Sequence, residues 1–228
     1  MEKENIGHKL EDAVGRALIK MGAIVEEKAL EELKAYTEEL MRWNKAYNLV
    51  GRKMGTEGVV DIIVDAISPL MIKGLFEGKE EVLDIGSGAG LPGIPLYLLA
   101  GPFQLTLVES QRKKVTFLRH VKRSLVIEEM RIFPGRFEEM TRSEDDLSKY
   151  ELAFVRAVTD PLKLVRQVKP LISGGGRIVL MVGKNDSERI RKASIELEEK
   201  AGLKIEGIKS TQRIVGKEHY LVIATKVG

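Results

Sequence analysis

Residues 82–95 read Val82-Leu83-Asp84-Ile85-Gly86-Ser87-Gly88-Ala89-Gly90-Leu91-Pro92-Gly93-Ile94-Pro95. An apolar run ends in an acid, and four glycines follow within eight residues. Glycine turns the chain without a Cβ penalty and lets a ligand approach the main chain. Placed between a β-rich run and a helical one, the cluster predicts a strand, a ligand loop and a helix in succession, the opening unit of a parallel sheet.

The rhythm continues on the C-terminal side. β-Rich runs at 81–85, 104–109, 130–133, 151–155 and 177–182 alternate with amphipathic segments at 92–100, 112–124, 161–169 and 187–200. Such alternation predicts a mostly parallel sheet with helices on both faces. The runs 203–210 and 219–226 follow each other directly, which predicts an antiparallel pair at one edge. Thr159-Asp160-Pro161 reads as a helix cap with proline at the first helical position, and Ser173-Gly174-Gly175-Gly176 as a turn.

Residues 8–73 read as helices. Leu10, Val14, Ala17, Leu18 and Met21 recur at helical spacing, and Leu33, Tyr36, Leu40, Trp43 and Tyr47 form a longer stripe. A third helix is expected from Asp61 to Ile72, interrupted or ended near Pro69. The expected organisation is therefore an N-terminal helical extension, residues 1–75, packed on an α/β Rossmann-like domain, residues 76–228. No repeat or long linker separates them.

Composition narrows the chemistry. With 228 residues, the chain is long enough to bury about 70% of its unfolded surface. It contains no cysteine, which removes thiolate nucleophiles and thiolate metal sites, and its three histidines are scattered, so no metal is expected. A net charge of +3 means that any nucleic-acid footprint must come from local clusters. The opening residues are mixed in charge, and no apolar run is long enough for a bilayer; a cytoplasmic location without membrane contact is expected. No oligomerisation signal is visible, so a monomer is expected.

Two ligands compete for the glycine loop. Gly88-Ala89-Gly90-Leu91-Pro92-Gly93 matches the dinucleotide pattern GxGxxG, which would seat a pyrophosphate. Asp84 argues otherwise, because a carboxylate at the strand end repels phosphate and attracts a cation. S-adenosylmethionine carries a sulfonium and an ammonium and no phosphate. The bare backbone of Gly86, Ser87, Gly88 and Gly90 would let its methionyl and ribose parts approach, and Glu109, ending the second strand, can accept both ribose hydroxyls. A serine-hydrolase elbow is excluded, since Ile85 stands where its glycine is required.

With these residues in hand, the chain resembles the RsmG/GidB family, which methylates guanine N7 in the decoding-centre loop of 16S ribosomal RNA. The resemblance spans about residues 33–226. It is carried by Arg42-Trp43-Asn44-Lys45-Ala46-Tyr47-Asn48-Leu49, by the glycine block through Leu96, by Glu109 with the basic stretch after it, by Gly135-Arg136-Phe137-Glu138-Glu139, and by Arg156-Ala157. It implies an S-adenosylmethionine-dependent rRNA methyltransferase whose cofactor meets backbone around Gly86 and Leu91, with Phe137 and Glu138 near the adenine. Arg156 is implied as a cofactor-site or active-site arginine, its planar fork suited to the methionyl carboxylate or an RNA phosphate. Where the family shows His-x-x-Asp-Ser, this chain has Ile62-Ile63-Val64-Asp65-Ala66. Its Lys-Gly after the fifth strand is here Gly183-Lys184, and its basic residue before the last strand is His219 or missing.

Arg112, Lys113, Lys114, Arg119, Lys122 and Arg123 place six cations in twelve residues, with Val115, Leu118, Val121 and Leu125 as the stripe to be buried. A second basic patch is expected from Lys45, Arg52 and Lys53 beside Trp43 and Tyr47. The expected partner is 16S ribosomal RNA or the small ribosomal subunit, contacted by Lys45, Arg52, Lys113, Lys114, Arg119 and Arg123. No single catalytic residue is expected, because N7 has a free lone pair and loses no proton on methylation. An NAD-dependent oxidoreductase and a non-catalytic RNA-binding or ribosome-assembly factor stay open as alternatives.

Overall fold

The computed structural model describes every residue except Met1, Arg52, Lys53, Lys79, Ser143, residues 157–159 and Gly228. Thr159 of the expected cap, Ala157 and the cations Arg52 and Lys53 therefore lie outside the described residues. Helices α1 (Glu2–Met21), α2 (Glu27–Tyr47) and α3 (Thr56–Ala66) come first. Their apolar stripes explain them: Leu10, Val14, Ala17 and Leu18 of α1 and Leu33, Tyr36 and Leu40 of α2 are all buried. Helix α3 starts at Thr56, ahead of the expected Asp61, and stops at Ala66; a short 3-10 turn, Ser68–Met71, then carries the chain through Pro69.

The alternating part follows as β1 (Glu81–Ile85), α4 (Gly93–Ala100), β2 (Gln104–Val108), α5 (Arg112–Ser124), β3 (Met130–Phe133) and α6 (Phe137–Met140). It continues with β4 (Tyr150–Arg156), α7 (Pro161–Val168), β5 (Ile172–Gly183), α8 (Lys184–Lys192), α9 (Ser194–Ala201), β6 (Leu203–Ser210), α10 (Gln212–Val215) and β7 (His219–Lys226). Asp160 caps α7 by accepting from the Lys163 N–H, and Pro161 opens that helix. The expected helix over 187–200 is two helices meeting at Ala193, and the short α10 stands between β6 and β7 where none was expected.

Among the described residues the strands form one sheet in the order β3-β2-β1-β4-β5-β7-β6. Strands β3 through β5 pair in parallel, while β7 runs antiparallel to both β5 and β6. The expected turn at 173–176 lies inside the span of β5. Tyr150 pairs with Ile172 but Leu152 with Arg177, so these residues bulge out of the ladder, with Gly175 at φ 74°.

Strand alternation sorts the core. Val82, Leu152 and Phe154 pack with α1 to α5 on one face, whereas Leu83, Ile85, Ala153 and Val155 pack with α6 to α9 on the other. The chain places β2 and β3 to one side of β1, then crosses to build β4 and β5 on the other. At such a switch point the loops after β1 and β4 diverge, and a crevice opens at the carboxyl ends of the strands.

Candidate active site

The loop after β1 is held from within. Gly86 and Gly88 have φ of 68° and 60°, a backbone region that strains any residue with a Cβ. The Ser87 N–H donates to the Val108 carbonyl at 3.0 Å, and the Gly90 and Leu91 N–H groups both donate to the Ser87 carbonyl. The Gly88 N–H donates to Glu109 Oε2 at 3.0 Å, and the Gly93 N–H to Asp84 Oδ2 at 2.9 Å. Gly93 is needed where it stands, since a Cβ there would sit 2.8 Å from both Asp84 Oδ2 and Leu107 Cδ2.

Helix α2 fastens the same loop. The fully buried Tyr36 donates its hydroxyl to the Ala89 carbonyl at 2.8 Å, and burial pushes its hydroxyl pKa up, with the Asp84 charge adding to the rise. Tyr36→Phe leaves that carbonyl without its partner. We expect it to cost about 1–3 kcal/mol in urea unfolding and to weaken ligand binding at the loop; unchanged stability would show the bond to be dispensable.

A cavity of about 310 Å³ opens above β1 and β2, lined by Ile85, Gly86, Val108, Glu109, Phe137 and Glu138 among others. It gathers five of the expected cofactor residues: Gly86, Glu109, Phe137, Glu138 and Arg156. Glu109 is nearly buried, and its second oxygen accepts from the Gln111 N–H at 2.7 Å. Each carboxylate oxygen has room for two donors, so both keep one acceptor position for a ligand. The sequence reading missed Ile85, Val108, Ser110, Gly135, Arg136 and Leu164 as lining residues. Ile85 and Val108 were within reach of it, because each is the last residue of its parallel strand.

Asp84, Ser87, Gly88, Gly90 and Leu91 do not line this cavity; Gly88 is half-buried and the other four are buried. Asp84 shares the parity of Val82 and faces α4, where it is fully buried; its Oδ1 has no hydrogen-bond partner. Burial pushes the Asp84 carboxyl up to about 7, against the pull of the Gly93 N–H and the Arg156 guanidinium and with the help of the Glu109 charge. Asp84 is absent from the cavity lining, so when ionised its charge faces the crevice across the loop.

Arg156, at the end of β4, also lines a second cavity, of about 220 Å³, over the ends of β5 and β7. There its Nη2 donates to Asp65 Oδ2 at 2.7 Å, and His219 Nδ1 lies 3.0 Å from Asp65 Oδ1. Asp65 comes from α3 and His219 from β7, so sequence spacing gave no sign that they meet.

The expected RNA contacts divide. Arg112, Lys113, Arg119 and Arg123 of α5 are exposed, while Val115, Phe117, Leu118 and Val121 are buried; Leu125 is half-buried. Lys114 is half-buried beside the glycine loop, 3.9 Å from where a Gly88 Cβ would stand. Lys122 spends its charge on the carbonyls of Glu128 and Met130. On α2, Lys45 is exposed and Trp43 is half-buried against Phe117 and His120.

Comparison with known proteins agrees with this geometry. The family model GidB, described as rRNA small subunit methyltransferase G, matches residues 29–215. A ribosomal RNA small subunit methyltransferase G from Caldanaerobacter subterraneus is 33% identical over 78% of this chain and 74% of its own length. Its counterpart from Syntrophotalea carbinolica is 26% identical over 94% and 97%. Among solved structures, Aeropyrum pernix fibrillarin with bound S-adenosylmethionine superimposes with a TM-score of 0.54 at 16% identity, over 70% of this chain and 72% of that one. At that identity the likeness shows a shared fold and nothing more.

Proposed function

The chain belongs to the GidB family, rRNA small subunit methyltransferase G, and on that premise we propose that it transfers a methyl group from S-adenosylmethionine to guanine N7 in the decoding-centre loop of 16S ribosomal RNA. The observation that carries the cofactor assignment is the state of the loop donors. A pyrophosphate needs free N–H groups pointing at it. Here those of Ser87, Gly88, Gly90, Leu91 and Gly93 each already serve an acceptor within the protein. Glu109, by contrast, keeps acceptor positions suited to two hydroxyls, and Asp84 and Glu109 together favour a cation. The crevice thus fits a nucleoside with a positive tail better than a dinucleotide.

In this reading Phe137, Val108, Ile85 and Leu164 enclose the adenine, Glu109 takes the ribose, and Gly86 leaves the main chain open to the methionyl part. When bound, S-adenosylmethionine supplies a methyl group on positively charged sulfur. Guanine N7 needs no general base, so the protein's contribution is alignment, which can supply several of the ~7–11 kcal/mol available from good orientation. The helical segment 1–75 serves the core 76–228 by fastening the loop through Tyr36. The reading includes a monomer in the cytoplasm acting on rRNA or the small subunit, with no metal and no membrane; among the described residues no helix is long and apolar enough to cross one.

Titration calorimetry tests the cofactor assignment. S-adenosylhomocysteine should bind in the micromolar range or tighter and NADH should not; the reverse would favour an oxidoreductase. In this reading the cations of α5, the exposed Lys113 and the half-buried Lys114 among them, carry the RNA. If roughly six phosphates are contacted, binding should fall with salt at a log–log slope of about −4 to −5. Replacing Lys113 and Lys114 together by alanine should reduce that slope by about 1.4, at the ~0.7 per phosphate of single strands. An unchanged slope would place the RNA elsewhere.

A further inference from the structure

The second cavity has no part in holding the cofactor as proposed, yet it is built. Arg156 lines both cavities, so the two spaces adjoin at the end of β4. Met181 and Leu221, opposite each other in the β5–β7 register, give it apolar surface. Its polar side is a fixed group of three. Asp65, with only 7% of its side chain exposed, takes Arg156 on one carboxylate oxygen and His219 on the other.

That arrangement sets the histidine. A carboxylate only accepts, so the hydrogen lies on Nδ1, and the opposite ring nitrogen, on a side chain 44% exposed, is left for a ligand. Neutral, that nitrogen accepts from an N–H; charged, it donates to a carbonyl oxygen. Guanine offers both, in its N1–H and 2-amino donors and its O6 acceptor. Methyl transfer also requires the acceptor base to lie against the cofactor, which an adjoining cavity provides.

We propose that the second cavity receives the guanine to be methylated, and that His219, held in place by Asp65, hydrogen-bonds that base. The assignment rests on the function proposed above. It predicts that damage to this cavity spares cofactor binding and spoils use of the RNA.

Gly183 gives a clean way to fill the space. It lines the cavity opposite His219 in the ladder, its φ of −76° and ψ of 173° suit any residue, and a Cβ there meets nothing within 4 Å. Gly183→Leu should therefore fold normally and obstruct the base. The experiment measures S-adenosylhomocysteine affinity by calorimetry, and kcat and KM for small-subunit RNA, in the unsubstituted protein and in G183L, H219A and H219Q.

Cofactor affinity should stay within about twofold in all of them, while kcat/KM for RNA falls at least about tenfold in H219A, the scale of one lost hydrogen bond to a base. H219Q, which can still donate or accept, should recover most of that loss. G183L should fall further, by about a hundredfold or more, as a blocked pocket demands. Wild-type kcat/KM in G183L, or a loss of cofactor affinity matching the loss of turnover, would overturn the assignment. If the unsubstituted protein transfers no methyl group while binding S-adenosylhomocysteine, the proposed reaction itself fails and this pocket assignment with it.

Discussion

Glu109→Ala should weaken S-adenosylmethionine binding by at least about a hundredfold, or roughly 3 kcal/mol. The side chain does two jobs at once. It accepts from the Gly88 and Gln111 N–H groups, joining the glycine loop to the start of α5. It also holds the only acceptor positions proposed for the ribose. Alanine abolishes both, leaving two main-chain donors without partners and the ribose hydroxyls without a charged acceptor. Glu109→Gln keeps one carbonyl oxygen and turns the other acceptor into a donor, so it should cost less, about tenfold. Calorimetry on both variants checks the order; full affinity in the alanine variant would remove Glu109 from the site.

The second large effect is a pH dependence centred on Asp84. Its carboxyl has an ordinary value of 3.8 and is raised by burial to about 7 in the folded chain. Below about pH 4 both folded and unfolded chains carry the proton, and Asp84 adds no pH dependence. Between about 4 and 7 the unfolded chain has lost the proton and the folded chain keeps it, so stability falls as pH rises. Above about 7 the full cost is present, on the order of 4 kcal/mol. Asparagine cannot ionise, so Asp84→Asn should lose this fall. Urea unfolding of both proteins at pH 5 and pH 8 isolates it as a difference, free of the other carboxylates. A cationic ligand favours the ionised form, so the unsubstituted protein should bind S-adenosylmethionine more tightly as pH rises through about 7, and the asparagine variant should not. Parallel pH curves for the two proteins would mean that Asp84 titrates normally.

Much of this was legible before any coordinates. The β-rich runs became strands because β-branched and apolar residues cluster where both faces of a parallel sheet are buried. Helix α5 has the limits its charged and apolar residues suggested. Other parts depend on three dimensions. Ser173–Gly176 looks like a turn in isolation, but its neighbours on both sides pair with β4, which makes it a bulge. The direction of Asp84 follows from strand parity: it goes with Val82 towards α4, whereas Ile85 faces the crevice. That alternation was present in the sequence. The charge count along α5 included Lys122, whose ammonium is occupied by two main-chain carbonyls. The meeting of Asp65, Arg156 and His219 could not be read at all, because residues from α3, β4 and β7 share no spacing that marks them as neighbours.

The most direct test is transfer itself. Small ribosomal subunits from cells lacking this methylation should be incubated with the protein and S-adenosylmethionine carrying a labelled methyl group, and the 16S rRNA digested and mapped by mass. The label should appear on one guanine of the decoding-centre loop, at N7, and should be absent with Glu109→Ala. Label on another nucleotide, on protein, or nowhere would contradict the reaction assigned to this fold.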